Sequence, residues 1–165
     1  MKFYTATAFA LIICALLSLP AWTADTGTIR GLVTIPVTLD TESAPEEAKV
    51  YVYLVDLGSW DRRKSPWPPI STVQAFPIRS IEGAELAFEF RNVPTGSYRV
   101  GAFLDAGRPH IRPGARSFVA YPGDYTSLND PEVSLKPGDD KQITISYGAR
   151  VTVPEGYTAP KYLPE

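Results

Sequence analysis

From Asp25 onward the apolar residues alternate with polar ones. Ile29, Gly31, Val33 and Ile35 share one face of a first run, with Arg30 and Thr34 on the other. A period of two is the pattern of a half-buried strand. Pro36 ends that strand or marks an edge. In residues 49–56, Val50, Val52 and Leu54 form one face, and Tyr51, Tyr53 and Val55 the other. With both faces apolar, this strand is predicted to be central and covered on both sides. Residues 71–81 resume an extended pattern, interrupted by Pro77, and Glu82-Gly83 supplies a turn. Leu86, Phe88 and Phe90 then alternate with Ala87, Glu89 and Arg91. Tyr98, Val100, Ala102 and Leu104 share a face of the next run. Residues 132–135 and 142–147 are expected to pair as a hairpin across Lys136-Pro137-Gly138-Asp139-Asp140.

Between these runs lie an acidic loop, 39–48, and two long loops, 57–70 and 105–131, with a short strand expected near 118–121. The first long loop holds Pro66, Pro68 and Pro69, which cannot continue a ladder. No stretch of a dozen residues after the leader has a 3.6-residue period. Seven short strands separated by turn signals predict an all-β domain, a seven-stranded antiparallel sandwich. Its core is expected from Leu32 or Val33, Val52, Leu54, Phe88, Phe90, Tyr98, Val100, Phe103, Ile143 and Ile145. It should span residues 25–148, leaving 149–165 as a Pro-containing tail.

The first 24 residues have a different pattern. Lys2 precedes an uncharged stretch whose centre reads AFALIICALLSL, followed by small residues near Pro20. That order matches a secretory signal peptide. Cleavage after Ala24 or after Ala21 would leave Ala at the boundary, and Asp25 opening a polar segment favours Ala24. The rival reading is an uncleaved anchor, but the apolar run falls short of the roughly 20 residues that span a bilayer. The expected location is therefore periplasmic or secreted, with membrane contact only through the leader if it is retained. Cys14 lies in the apolar run and is removed with it, and bulky Ile13 does not suit a lipoprotein site. The mature chain then carries no thiol and no disulfide, which a domain of about 140 residues tolerates.

Composition narrows the function. The 165 residues are 44% hydrophobic and 21% charged, which fits one folded domain rather than a disordered chain. The formal net charge of -2 has no basic excess, so no nucleic-acid partner is expected. His110 is the single imidazole. No His/Cys cluster suits zinc, no phosphate-binding glycine loop occurs and no G-x-S-x-G elbow is present. No cofactor, no metal and no catalytic residue is therefore expected.

Certain segments resemble a known group of modules. They are Thr28-Ile29-Arg30-Gly31-Leu32-Val33, Val50-Tyr51-Val52-Tyr53-Leu54, the run from Phe88 through Asn92-Val93-Pro94-Thr95-Gly96 to Tyr98 and Val100, and Val133-Ser134-Leu135-Lys136-Pro137-Gly138. Together with Ile143-Thr144-Ile145 they resemble the carboxypeptidase regulatory-like modules over most of residues 28–147. The resemblance implies a prealbumin-like sandwich, close to the starch-binding-like fold, and an accessory role. Its most specific part, F-x-F-x-N-V-P-x-G-x-Y-x-V, is a folding motif: strand, tight turn, strand. Gly96 is expected to supply the turn's backbone freedom and Pro94 a fixed φ. Some such modules carry a calcium loop after Tyr-x-Val. Here only Asp105 fits it, and Arg108 would repel a cation.

Two loop clusters remain as candidate ligand sites. One contains Trp60 and Trp67 around a basic triplet, and the other Arg108, His110, Arg112, Arg116, Tyr121 and Tyr125. Aromatic faces stack on sugars and Arg holds carboxylate or phosphate. The competing reading has the tryptophans packed under their own loop and the arginines solvated. The expected function is a non-catalytic accessory module for protein interaction or structural support at the cell envelope, its partner an envelope or extracellular protein. The alternative is a carbohydrate-binding module whose loop aromatics hold a polysaccharide. A protein partner would use an edge strand or the 157–165 tail.

Overall fold

The computed structural model describes residues 25–36, 39–61, 63–64, 70–106 and 124–150. The leader, the tail from 151, the centre of the proline-rich loop and the segment 107–123 lie outside the described residues, and with them the strand expected near 118–121. Within them are eight strands: β1 Thr26–Thr34, β2 Lys49–Asp56, β3 Ile70–Pro77, β4 Glu85–Pro94, β5 Gly96–Asp105, β6 Tyr125–Ser127, β7 Glu132–Leu135 and β8 Asp140–Arg150. One 3-10 turn, Ile78–Ser80, follows β3. The described chain is all-β.

The strands follow one path, β3-β2-β5-β6-β8-β1-β4, with β7 beside β5. β8 joins two arms. Its first part pairs with β1 from Asp140 to Ser146, and its end pairs with β6 at Tyr147 and Arg150. The sheet therefore curls, and both arms contribute to one apolar cluster. Ile29, Val33, Phe88, Phe90 and Ile145 come from one side, and Val50, Val52, Leu54, Tyr98, Val100, Ala102 and Leu104 from the other. Of the alternatives at the first strand, Val33 is buried and Leu32 is only partly so. Ile143 packs against the cluster from its margin. β2 is buried on both faces, as its pattern predicts: Tyr51 and Val55 are covered on the outer side, next to Phe103 of β5.

Three expectations change. The pairing is not wholly antiparallel, because β1 and β8 run parallel in register Gly31↔Ile143. The reason lies in the Lys136–Asp139 turn. Asp139 N–H donates to the Lys136 carbonyl at 3.1 Å and Gly138 has φ 76°, the geometry of a type II turn with Pro137 second. The turn forms as expected but no hairpin does. β7 stays with β5, and the turn docks on β1 through Gly138 N–H to the Thr26 carbonyl (2.8 Å) and Thr28 N–H to the Asp139 carbonyl (2.8 Å). The chain thus leaves one arm and enters the other.

The second change concerns the N-V-P-x-G-x-Y motif. β4 and β5 do not pair with each other; β4 lies on β1 and β5 on β2 and β7. The motif is a corner between arms. Gly96 is not its left-handed residue. That is Asn92, with φ 55°, at a bulge where β4 has one residue more than β1 between the pairs Ile29↔Phe90 and Gly27↔Val93. Asn tolerates this region better than most residues because its short side chain bonds locally. A Cβ at Gly96 would sit 3.4 Å from the Tyr98 ring, an ordinary contact distance. The Tyr98 hydroxyl donates to the Pro94 carbonyl at 2.8 Å and ties the corner together.

The third change is Tyr125. Expected in an exposed loop, it lies in β6 with 5% of its surface accessible, edge-on to Tyr147 at 6.3 Å between ring centres. Pairing with Leu104 turns its ring into the cluster.

Candidate functional site

Among the described residues the path ends on β3 and on β4, each with one edge lacking a ladder partner, while β7, off the path, pairs only with β5. β3 shows why on its own sequence. Ser71, Thr72, Val73 and Ala75 are exposed, and Ile70, Gln74 and Phe76 are partly buried. β4 presents Glu85, Ala87, Glu89 and Arg91 outward, with Phe88 and Phe90 inward.

These two edges approach each other without pairing. The Gln74 side-chain amide donates to the Glu89 carbonyl at 2.7 Å. That carbonyl therefore faces away from β1. A cleft of about 1060 Å³ lies to one side of the bridge, lined by Leu32, Ala75, Phe76, Ala87, Glu89 and Arg91 among others. A second, of about 490 Å³, lies toward the corner and includes Ser71, Thr72, Asn92 and Tyr98. Gln74 and Arg91 line both.

The electrostatics of the seam are local. Arg91 donates to the Glu89 carboxylate through Nε at 2.7 Å and Nη2 at 2.6 Å. Those bonds, with the attraction of the same carboxylate, raise the guanidinium pKa. Arg30 pairs with Asp140 at 2.7 Å along the cleft floor. Asp56 Oδ1 accepts from Gly58 N–H at 2.8 Å and closes a turn beyond β2. Burial raises the pKa of the Tyr98 hydroxyl, and Asp56 adds to the shift. This is a surface that offers backbone groups, apolar walls, hydroxyls and paired charges.

A second polar group stands on the other side of β5. Ser127 Oγ accepts from Ala102 N–H at 3.2 Å and bonds to Asp130. Burial pushes the Tyr53 phenol up to about 12; Asp130 adds to this and a bond with Ser127 opposes it. Burial also raises the Tyr147 hydroxyl, which has no hydrogen-bond partner among the described residues. The Tyr53 ring lies flat on Gly101, its cross-strand neighbour. These contacts fasten β6 and β8 to β5. The chain's one imidazole, His110, lies outside the described residues. Asp105 and Asp124, both buried, stand at the two ends of segment 107–123 and both have partners.

Of the loop residues proposed from sequence, only Trp60 and Tyr125 are described. Trp60 is half-buried beyond the end of β2, in contact with other groups. Tyr125 belongs to the core and offers no face to a sugar. Trp67, Arg108, His110, Arg112, Arg116 and Tyr121 lie outside the described residues. Sequence reading missed the seam, because an unpaired edge is a property of strand order. The one local sign was the polar, Pro-ended run 71–77. Among the described residues no three His, Cys, Asp or Glu side chains gather to hold a metal, and no helix is long and apolar enough to cross a membrane.

No protein-family model matches the chain, and no curated protein matches its sequence. Among solved structures it is similar to a fimbrial assembly protein from Parabacteroides distasonis, at 11% identity and a TM-score of 0.39. The match covers 73% of this chain and 51% of that one, so the chain spans about half of that protein's length. The resemblance to carboxypeptidase regulatory-like modules rests on the residues quoted for it.

Proposed function

We propose that this chain is an exported, non-catalytic interaction module, a variant prealbumin-like sandwich that takes an extended strand of a protein partner against the open edge of β4. The observation that carries this reading is the Gln74 bridge to the Glu89 carbonyl. A glutamine side chain places its amide nitrogen roughly 5 Å from Cα. With the hydrogen bond added, a fully extended side chain would set β3 and β4 at most roughly 9–10 Å apart there, about twice the spacing of paired strands. One strand fits in such a gap. Backbone bonds would supply affinity and alternate side chains specificity, as in strand addition generally. The basic start and apolar core of the leader support export to the periplasm or beyond.

The test is photocrosslinking from Ala75 in cells that export the full chain. Ala75 is exposed and lines the cleft opposite β4. The expected product is an adduct with a polypeptide, lost on Ala87→Pro and kept on Trp60→Ala. Ala87 has the parity of Glu89, so proline removes an outward N–H and no bond to β1. No adduct, or one indifferent to Ala87→Pro, would refute strand addition. Retention of the domain on a polysaccharide that Trp60→Ala abolishes would favour the carbohydrate reading instead.

A further inference from the structure

The cleft toward the corner carries chemistry that strand addition does not use. Its volume of about 490 Å³ lies within the roughly 300–1,000 Å³ of small-ligand sites. Leu54, Phe90 and Val93, all core residues, give it an apolar floor. Asp56 stands at the end of β2. It continues the inward row of Val50, Val52 and Leu54 and pairs across the ladder with Tyr98. The core-facing row thus ends on a carboxylate where the core opens into the cleft. Asp56 Oδ1 accepts from Gly58 N–H at 2.8 Å and from Ser59 N–H at 3.2 Å, which leaves Oδ2 outside the turn. Burial raises the pKa of the Tyr98 hydroxyl and the Asp56 charge adds to the shift, so the negative potential reaches into the cleft.

The bonds around this cleft leave acceptors behind. The Tyr98 hydroxyl gives its proton to the Pro94 carbonyl at 2.8 Å, and the Ser71 hydroxyl gives its own to the Leu54 carbonyl at 3.1 Å. A hydroxyl has one proton and two lone pairs, so each of these oxygens can now only accept. Arg91, the cation of the lining, is balanced by Glu89, which takes its Nε and Nη2 protons. What remains is a net negative charge at Asp56 and two acceptor oxygens. A carboxylate or phosphate would meet like charge and lone pairs, and a sugar hydroxyl brings one proton and no charge. An ammonium has three donors, a positive charge and no acceptor. We infer that the corner cleft binds a primary ammonium group, held by Asp56 Oδ2 with the Tyr98 and Ser71 oxygens, its apolar stem lying over Phe90 and Val93. The site does not depend on strand addition. A partner strand that begins in the cleft brings the group as its N-terminus, and a small free amine brings the same chemistry.

Titration of the full exported chain with leucinamide, read by the amide proton shifts of Gly58 and Thr95, tests this. The expected result is saturable binding that falls tenfold or more for N-acetyl-leucinamide, which keeps the stem and loses the charge. Asp56→Asn should also weaken leucinamide tenfold or more. The Asn Oδ1 still accepts from Gly58 and Ser59, so the turn is kept and only the charge goes. Ser71→Ala should weaken binding severalfold, and it carries the test if circular dichroism shows that Asp56→Asn has lost its fold. A tetrapeptide amide beginning with leucine that binds tighter than leucinamide assigns the group to a chain end, and one that binds no tighter assigns it to a free amine. No saturable shift, an acetylated probe that binds as well, or binding indifferent to both variants overturns the inference. Crosslinking from Ala75 reads strand addition separately: an adduct there without leucinamide binding removes this site alone, and leucinamide binding without an adduct removes strand addition alone.

Discussion

Replacing Gly31 by alanine should unfold this domain far more readily than the loss of a glycine suggests. Gly31 sits in β1 opposite Ile143 of β8. A Cβ there would lie against the Ile143 carbonyl oxygen, closer than two unbonded atoms can come, and 3.1 Å from the Ile143 Cγ1. The obstacle is backbone, so no rotamer change relieves it. The strands must separate at the parallel pair, between Ile29 and Val33, both 0% exposed. Overpacking of this kind costs about 1–3 kcal/mol. Two disturbed ladder bonds add about 1 kcal/mol each, and the stiffer unfolded chain offsets about 0.5–1 kcal/mol. The net loss is about 2–4 kcal/mol, which for a domain of this size lowers the Tm by roughly 10 °C. Gly83→Ala provides the contrast. Its Cβ would meet nothing within 4 Å, and only its φ of 81° resists alanine, at about 1–2 kcal/mol. Urea unfolding followed by tryptophan fluorescence measures both. If Gly31→Ala costs no more than Gly83→Ala, the close approach of β1 and β8 is wrong, and with it the parallel pair that makes the sheet mixed.

Three further outcomes follow from named contacts. Tyr98→Phe removes the bond to the Pro94 carbonyl and should cost about 1 kcal/mol in the same assay; no change would mean that the hydroxyl does not hold the corner. Asn92→Gly should be neutral or stabilising, whereas Asn92→Val should cost about 1–2 kcal/mol or more at φ 55°, and equal effects of the two would deny the left-handed bulge. Tyr53 ionises only near about 12 in the fold, and Tyr51, Tyr98 and Tyr147 are shifted the same way. With folded values above those of the unfolded chain, their contribution is complete below pH about 10. It is lost as pH rises from there toward about 12, so denaturation midpoints should fall across that window, and absorbance at 295 nm should show native tyrosines ionising late.

What the sequence determined by itself was local. Period-two alternation marks which residues point together, and that property is carried by a few consecutive residues in an extended chain. It identified the buried faces of β1, β2, β4 and β5, the double-sided burial of Tyr51 and Val55, and the Pro137-Gly138 turn. What tertiary structure decided was partnership. Whether the turn after Leu135 closes a hairpin or leads into β8 beside β1 depends on groups more than a hundred residues upstream, Thr26 and Thr28. Tyr125 became a core residue through pairing with Leu104, which no feature of its own segment specifies. Gly96 looked like the residue of special φ because glycine permits it, but the bulge against β1 placed that burden on Asn92. The β3/β4 seam was invisible for the same reason. An edge exists only once every other strand has found its neighbour, and that is settled by how a curled sheet closes around one core, not by any residue within the edge strand itself.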